Sequence, residues 1–413
     1  MEKITQFTII DGGVTAAKGY KAAGVEAHIK YSNRKDMAMI KSDAPCTVAG
    51  TFTTNVVKAA PVKWDMDVVE NSEYVQAVVV NSGIANACTS KEGYDACKEI
   101  ADYAGSKLQI PGEAVLIGST GVIGMKLPMD RVKAGIDNLC EVLSDTRQAG
   151  ADAEAAIMTT DTVPKEVAVS FEIGGKTVTI GAMSKGSGMI HPNMCTMLAY
   201  MCTDASITKE MLTKAVKEDI PDTFNMITVD GDTSTNDTFL CMANGMAQNP
   251  TISEDGEDYR KFAAALHYVN ETLAKKMAKD GEGATALFEV KVTNAASVEE
   301  AKVFAKSVVG SSLCKAAIYG HDANFGRFLC ALGYAGIDFD PEIVDMYFKS
   351  AAGSLLMYTN GCGTDFDEEE ATEILSEDEV TVLFDMKRGD KSATAWGCDL
   401  TYDYVKINAD YRS

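Results

Sequence analysis

Lys185-Gly-Ser-Gly-Met-Ile-His-Pro-Asn-Met-Cys-Thr-Met-Leu-Ala199 is a loop rich in glycine and proline that runs into a short apolar segment containing Thr196. Gly186, Gly188 and Pro192 forbid a regular helix, and Met194 to Met201 reads as a buried strand entered from a turn. A threonine in an apolar strand is ordinarily structural. Thr196 gains chemical meaning only if the rest of the chain supplies a site for it.

The 413 residues, 46% of them apolar, suffice for two domains or one large α/β body. With 38 Lys+Arg against 60 Asp+Glu the net charge is -22, which repels polyphosphates and anionic lipid headgroups. Neither a nucleic acid nor a membrane partner is expected. The opening Met1-Glu-Lys-Ile-Thr-Gln6 lacks a signal-peptide core and no run of about 18 apolar residues occurs, so a cytoplasmic location is expected. The 11 cysteines form no Cys-x-x-Cys pair and fit reduced thiols. His28, His191, His267 and His321 are too dispersed to suggest a metal site or a Ser-His-Asp triad. An enzyme built from this chain must find its base elsewhere.

Residues 7 to 60 alternate apolar runs with the turns Asp11-Gly-Gly13, Ser32-Asn-Arg34 and Ser42-Asp-Ala-Pro45, the rhythm of a meandering antiparallel sheet. Tyr74 to Val80 reads as a strand, Tyr94 to Leu108 as a helix, and Ala114 to Ile117 as a strand that delivers Gly118-Ser-Thr-Gly-Val-Ile-Gly124. That loop offers backbone N–H groups beside a hydroxyl, as an oxyanion hole requires, and would serve equally as a tight turn. Helices are expected over Asp130 to Leu143 and Ala151 to Met158, the second ending at Thr159-Thr-Asp-Thr162, whose hydroxyls could cap a helix or hold substrate.

Thr208 is the expected N-cap of the next helix. Asp230-Gly-Asp-Thr-Ser-Thr-Asn-Asp237 resembles a calcium loop only superficially, because Thr235 and Cys241 stand where glycine and glutamate are needed. Asp258 to Met277 and Val298 to Val309 read as helices, with a strand over Leu287 to Val292 and Glu282 flanked by two glycines at its mouth. The acidic run Asp365 to Glu379 reads as a solvated face or helix without chemistry. Val380 to Met386, Ser392 to Cys398 and Leu400 to Ile407 read as a closing three-stranded meander. Strands separated by helices without strict βαβ alternation favour an α+β layered body over a doubly wound sheet.

Lys185-Gly-Ser-Gly-Met189, Pro192 and Met194-Cys-Thr-Met-Leu198 together resemble the self-cleavage motif of the ornithine acetyltransferase (glutamate N-acetyltransferase) family. The likeness extends through Val14 to Gly24, Thr51-Phe-Thr-Thr-Asn55, Lys58-Ala-Ala-Pro-Val62, Ser119-Thr-Gly121, Met158 to Lys165, Gly281-Glu-Gly-Ala-Thr285 and Asn408 to Ser413. The resemblance implies an α+β sandwich similar to N-terminal-nucleophile hydrolases, self-cleaved between Cys195 and Thr196 into an alpha chain, 1–195, and a beta chain, 196–413. The two stay associated, with a heterotetramer of two of each expected. Thr196 is then the nucleophile, Thr120 and Gly121 stabilise the oxyanion, and Thr159, Lys185, Thr196, Glu282, Asn408 and Ser413 hold substrate. The implied reaction of arginine biosynthesis moves acetyl from N-acetylornithine to glutamate, without cofactor or metal, and leaves open whether acetyl-CoA also donates. A related self-processed aminopeptidase is the alternative. Cys195 departs from the usual alanine, and His321, Ala323 and Phe325 from the usual arginine, proline and tryptophan.

Such chemistry suits these residues. A threonine hydroxyl is a weak nucleophile, but cleavage before Thr196 would free an α-amine of pKa about 8 to act as its base. Lys185 would meet a substrate carboxylate and Glu282 an ammonium.

Overall fold

A computed structural model describes residues 7–191 and 197–410. They divide into two compact units that interleave along the chain. The first draws its described residues from Met1–Gly186, Pro192–Asn225 and Thr233–Leu273; the second from Ser187–His191, Met226–Asp232 and Ala274–Ser413. Each carries its own sheet with helices packed on it, which is the α+β layering expected. Among the described residues no helix is long and apolar enough to cross a membrane.

The first unit's nine-stranded sheet runs in the order Phe7–Ile10, Glu166–Ile173, Lys176–Lys185, Leu198–Thr203, Thr238–Ala243, Met37–Phe52, Val75–Asn81 and Val115–Ser119. Tyr20–Val25 pairs with the first half of Met37–Phe52, off that path. Val75, Val78, Val79 and Val80 are all buried, as a strand covered on both faces requires. Helices Ala60–Asn71 and Ser90–Leu108 pack beside Val115–Ser119, and Trp64 Nε1 donates to Val115 O at 3.0 Å.

Two expectations for this unit change. Phe7–Ile10 pairs with Glu166–Ile173 instead of joining a meander. Ser42-Asp-Ala-Pro45 is no turn but the middle of the strand Met37–Phe52. Proline cannot donate to a ladder, and the pairing with Val75–Asn81 breaks register between Lys41 and Cys46, which accommodates Pro45. The hairpin of Glu166–Ile173 and Lys176–Lys185 turns on Gly174 and Gly175, at φ 57° and 73°, where glycine carries no steric penalty.

In the second unit a seven-stranded sheet runs Cys362–Gly363, Gly353–Thr359, Asp345–Ser350, Glu379–Asp385, Leu287–Ala295, Lys391–Cys398, Ile227–Thr228. Helix Val298–Val309 covers Leu287–Ala295 and Lys391–Cys398, and Phe288, Phe328 and Phe348 meet edge to face beneath. The closing meander is not formed. Leu287–Ala295 lies between the two strands expected to pair, and Tyr402–Ala409 is a helix. Apolar residues at 400, 402 and 404 imitate a strand's alternation, yet none of the helix is buried, so no apolar face dictates its conformation. Asp403 in its first turn and Lys406 in its last suit a helix dipole.

Candidate functional site

The first unit gathers Thr120, Gly121, Thr159 and Lys185. Strand Val115–Ser119 ends at the buried Thr120, whose N–H donates to Asn81 O at 3.0 Å. Gly121 follows at φ 126°, and a Cβ on it would collide with the backbone of Gly83, so the loop admits only glycine there. Lys185, last residue of Lys176–Lys185, donates from Nζ to Thr159 Oγ1 at 2.7 Å and to Thr120 Oγ1 at 3.3 Å. An ammonium only donates, so Thr120 Oγ1 accepts, and its own O–H is directed to another acceptor. With its backbone N–H committed to Asn81, Thr120 can serve an oxyanion through its hydroxyl.

Asp161 organises the cluster from below. Its Oδ1 accepts from the Gly186 N–H at 2.7 Å and from Lys165 Nζ at 2.8 Å, while Oδ2 accepts from the Thr159 N–H at 3.0 Å. Lys185 Nζ stands 3.8 Å from Oδ2. Burial alone would raise the Asp161 carboxyl, but the Lys185 and Lys165 charges outweigh it and hold the group well below the usual carboxylate range. Lys165 is fully buried, and its N–H donates to Glu154 Oε1 at 2.8 Å. Glu154 is itself pushed up to about 8 by burial, and its Oε2 is buried without a hydrogen-bond partner.

The second unit gathers Glu282 and Asn408. Asn408 Nδ2 donates to Glu282 Oε2 at 2.7 Å, and the Glu282 N–H donates to Ser187 O at 3.0 Å. A Cβ on Gly188 would overlap the Glu282 carboxyl, so a glycine there is a condition of the close approach. Asp230 pins the same loop: its Oδ2 accepts from the Met189 N–H at 2.6 Å and Oδ1 from the Ile190 N–H at 3.0 Å.

Of the expected site residues, Thr120, Gly121, Thr159 and Lys185 thus come together in one unit, and Glu282 with Asn408 in the other. Cys195, Thr196 and Ser413 lie outside the described residues. Sequence reasoning missed Asp161 and Asp230. Asp161 stands within the quoted Thr159-Thr-Asp-Thr162, where its spacing of four from Lys165 is a readable charge-pair signal.

The ArgJ family model matches residues 21–413. The chain belongs to the ArgJ family. The "Arginine biosynthesis bifunctional protein ArgJ" of Symbiobacterium thermophilum is 53% identical, over 97% of this chain and 99% of that protein. The protein of that name from Caldanaerobacter subterraneus subsp. tengcongensis is 51% identical over 98% and 100%. "Arginine biosynthesis bifunctional protein ArgJ 1" of Clostridium acetobutylicum is 51% identical over 97% of each chain. Membership in ArgJ bears out the resemblance to an acetyltransferase of arginine biosynthesis.

Proposed function

We propose that this ArgJ-family chain transfers acetyl from N-acetylornithine to glutamate through an ester on Thr196, after cutting itself between Cys195 and Thr196. The supporting observation is the Lys185 ammonium, hydrogen-bonded to the hydroxyls of both Thr159 and Thr120. It sets a buried positive charge beside the hydroxyl of a glycine loop, which suits a substrate carrying both a carboxylate and an acyl group.

In self-cleavage the Thr196 hydroxyl adds to the Cys195 carbonyl, the C–N bond breaks to leave an ester and a free amine, and water opens the ester. In transfer the amine takes the hydroxyl proton while oxygen attacks the acetyl carbonyl. Negative charge collects on the acetyl oxygen, where the Thr120 hydroxyl and Gly121 N–H can donate; one such donor is typically worth about 3–4 kcal/mol of barrier. Collapse breaks the amide C–N bond, and the proton leaves with ornithine. The α-amine of glutamate then attacks the ester and regenerates the hydroxyl. Lys185 takes the α-carboxylate and Glu282 an ammonium. Acetyl-CoA as a second acetyl donor is the natural sense of "bifunctional" in the relatives' names. We assign the products as chains 1–195 and 196–413, associated as two of each, with Ser413 also at the substrate.

Purified protein should run as those two fragments, and Thr196→Ala as one chain without activity. Incubation with N-acetylornithine alone should add one acetyl mass to the fragment beginning at Thr196. An unlabelled fragment with intersecting initial-rate lines would overturn the covalent route, and acetate release without glutamate would favour a hydrolase.

A further inference from the structure

Within the stretch Asp230 to Asp237, Asn236 touches the two loops that shape the oxyanion donors. Asn236 is buried, and its Nδ2 donates both to Ser119 O at 2.8 Å and to Ala85 O at 2.6 Å. Its Oδ1 accepts from the Thr235 hydroxyl at 2.6 Å, which fixes the amide's orientation. The Ser119–Thr120 peptide is therefore gripped from both sides, its carbonyl by Asn236 and its N–H by Asn81 O. Asn81 completes the frame: its Oδ1 accepts from the Ser119 hydroxyl at 2.7 Å, and its Nδ2 donates to Ile84 O at 2.8 Å.

The second carbonyl matters as much. Ala85 belongs to the loop on which Gly121 rests, since the Val122 N–H donates to Gly83 O at 3.1 Å and the Ala85 N–H to Val122 O at 3.0 Å. One amide thus ties both sides of the Thr120–Gly121 peptide. Two residues further on, the Thr238 N–H donates to Met197 O at 2.8 Å, and Thr238–Ala243 pairs in parallel with Leu198–Thr203. Met197 directly follows Thr196 in the chain. Asn236 is therefore joined through two peptide units to the strand that leads out of the nucleophile.

We infer that Asn236 is a positioning residue, whose amide sets the Thr120 hydroxyl and Gly121 N–H in register with the strand that follows Thr196. The inference rests on the acyl-transfer reading proposed above. Oxyanion donors act because they are fixed before charge develops, and a displacement of about 1 Å can cost on the order of 10²-fold in rate. Asn236 touches neither reacting atoms nor substrate in this account, so its loss should leave substrate binding nearly unchanged.

Asn236→Asp keeps the oxygen that Thr235 meets and replaces the donor by a charged oxygen facing the two carbonyls. The matched control is Asn249→Asp, because Asn249 is also buried and donates to two carbonyls, Ser206 O at 3.2 Å and Pro250 O at 2.7 Å. Asn236→Asp should lower kcat of acetyl transfer by about 30- to 100-fold with KM for N-acetylornithine within about threefold, and should slow self-cleavage. Asn249→Asp should keep kcat within about threefold at a similar loss of thermal midpoint. Equal kcat for the two variants, or a fall confined to KM, overturns the inference. If Asn236→Asp does not fold, Asn236→Ala leaves a gap instead of a charge and is judged by the same split. A wild-type protein that splits but does not transfer acetyl overturns the proposed substrate instead, and the rate of splitting in Asn236→Asp then decides for or against the clamp.

Discussion

Lys185 and Glu282 carry the two opposite charges expected to meet substrate, and the protein holds them in contrasting ways. Lys185 belongs to a buried chain of ionic groups, with Asp161 and Lys165 at its heart and Glu154 behind. Glu282 is held by a glycine turn, one amide and a helix that buries none of its own residues. Burial makes each member of the first cluster depend on its partners, because an uncompensated charge in an apolar interior is costly. Glu282 is as buried as Lys185, but the helix that tethers it is exposed, so that tether is locally replaceable. Substitutions in the first cluster should therefore disturb folding and catalysis together, and those around Glu282 should act chiefly on substrate affinity.

The strongest challenge to that contrast is Lys165→Met, which removes a fully buried ammonium 2.8 Å from Asp161. Breaking such a pair typically costs about 3–5 kcal/mol, so urea unfolding should show a loss of that order. A loss below about 1 kcal/mol would mean the network is not held by its charges. Lys185→Met comes next. It forfeits charged hydrogen bonds worth about 1.5–3 kcal/mol, so kcat/KM for N-acetylornithine should fall about 10- to 150-fold. A variant with unaltered kcat/KM would exclude the ammonium from substrate binding.

Glu154 sharpens the comparison through pH. Its carboxyl titrates near 8 in the fold against an ordinary 4.5, because burial penalises its charge. Between those values the folded chain keeps a proton that the unfolded chain has released. Stability contributed by this group therefore falls as pH rises through the window and levels off above about 8, by at most about 1.4 kcal/mol per pH unit. Glu154→Gln still accepts from the Lys165 N–H but cannot titrate. Its unfolding free energy should fall less between pH 6 and 8 than the wild type's; identical slopes would show that Glu154 does not hold the proton.

Helix Val298–Val309 was open to sequence reading because Ala301, Phe304, Ala305 and Val308 recur at helical spacing and are buried together. Tyr402–Ala409 was not, because a helix with nothing buried has no apolar stripe to betray it. The Gly174-Gly175 hairpin carried a plain turn signal that went unread. For the site, local spacing could not unite Lys185 with Thr120, which lie 65 residues apart; resemblance to a family chose both. Their support by Asp161, Asn81 and Asn236 depends on where buried backbone groups find partners, which only the folded chain reveals.

The smallest effect is expected at Asn408. Its helix is tethered to the Glu282 turn at both ends, by the Thr401 hydroxyl donating to Gly283 O at 2.7 Å and by Asn408 Nδ2 donating to Glu282 Oε2 at 2.7 Å. Gly283 sits at φ 71°, and a Cβ there would crowd the Tyr404 nitrogen at 2.8 Å, so the helix start is seated closely on the turn. Asn408→Ala removes one tether, a single hydrogen bond to the buried Glu282 carboxyl. A single hydrogen bond of this kind is worth about 1 kcal/mol, so KM for N-acetylornithine should rise about fivefold with kcat, self-cleavage and thermal midpoint nearly unchanged. If Glu282 is instead oriented by the turn alone, KM stays put. A selective fall in kcat would mean that Asn408 acts on the reacting atoms, and the contrast between a charge held by a buried ionic cluster and one held by an exposed helix would have to be abandoned.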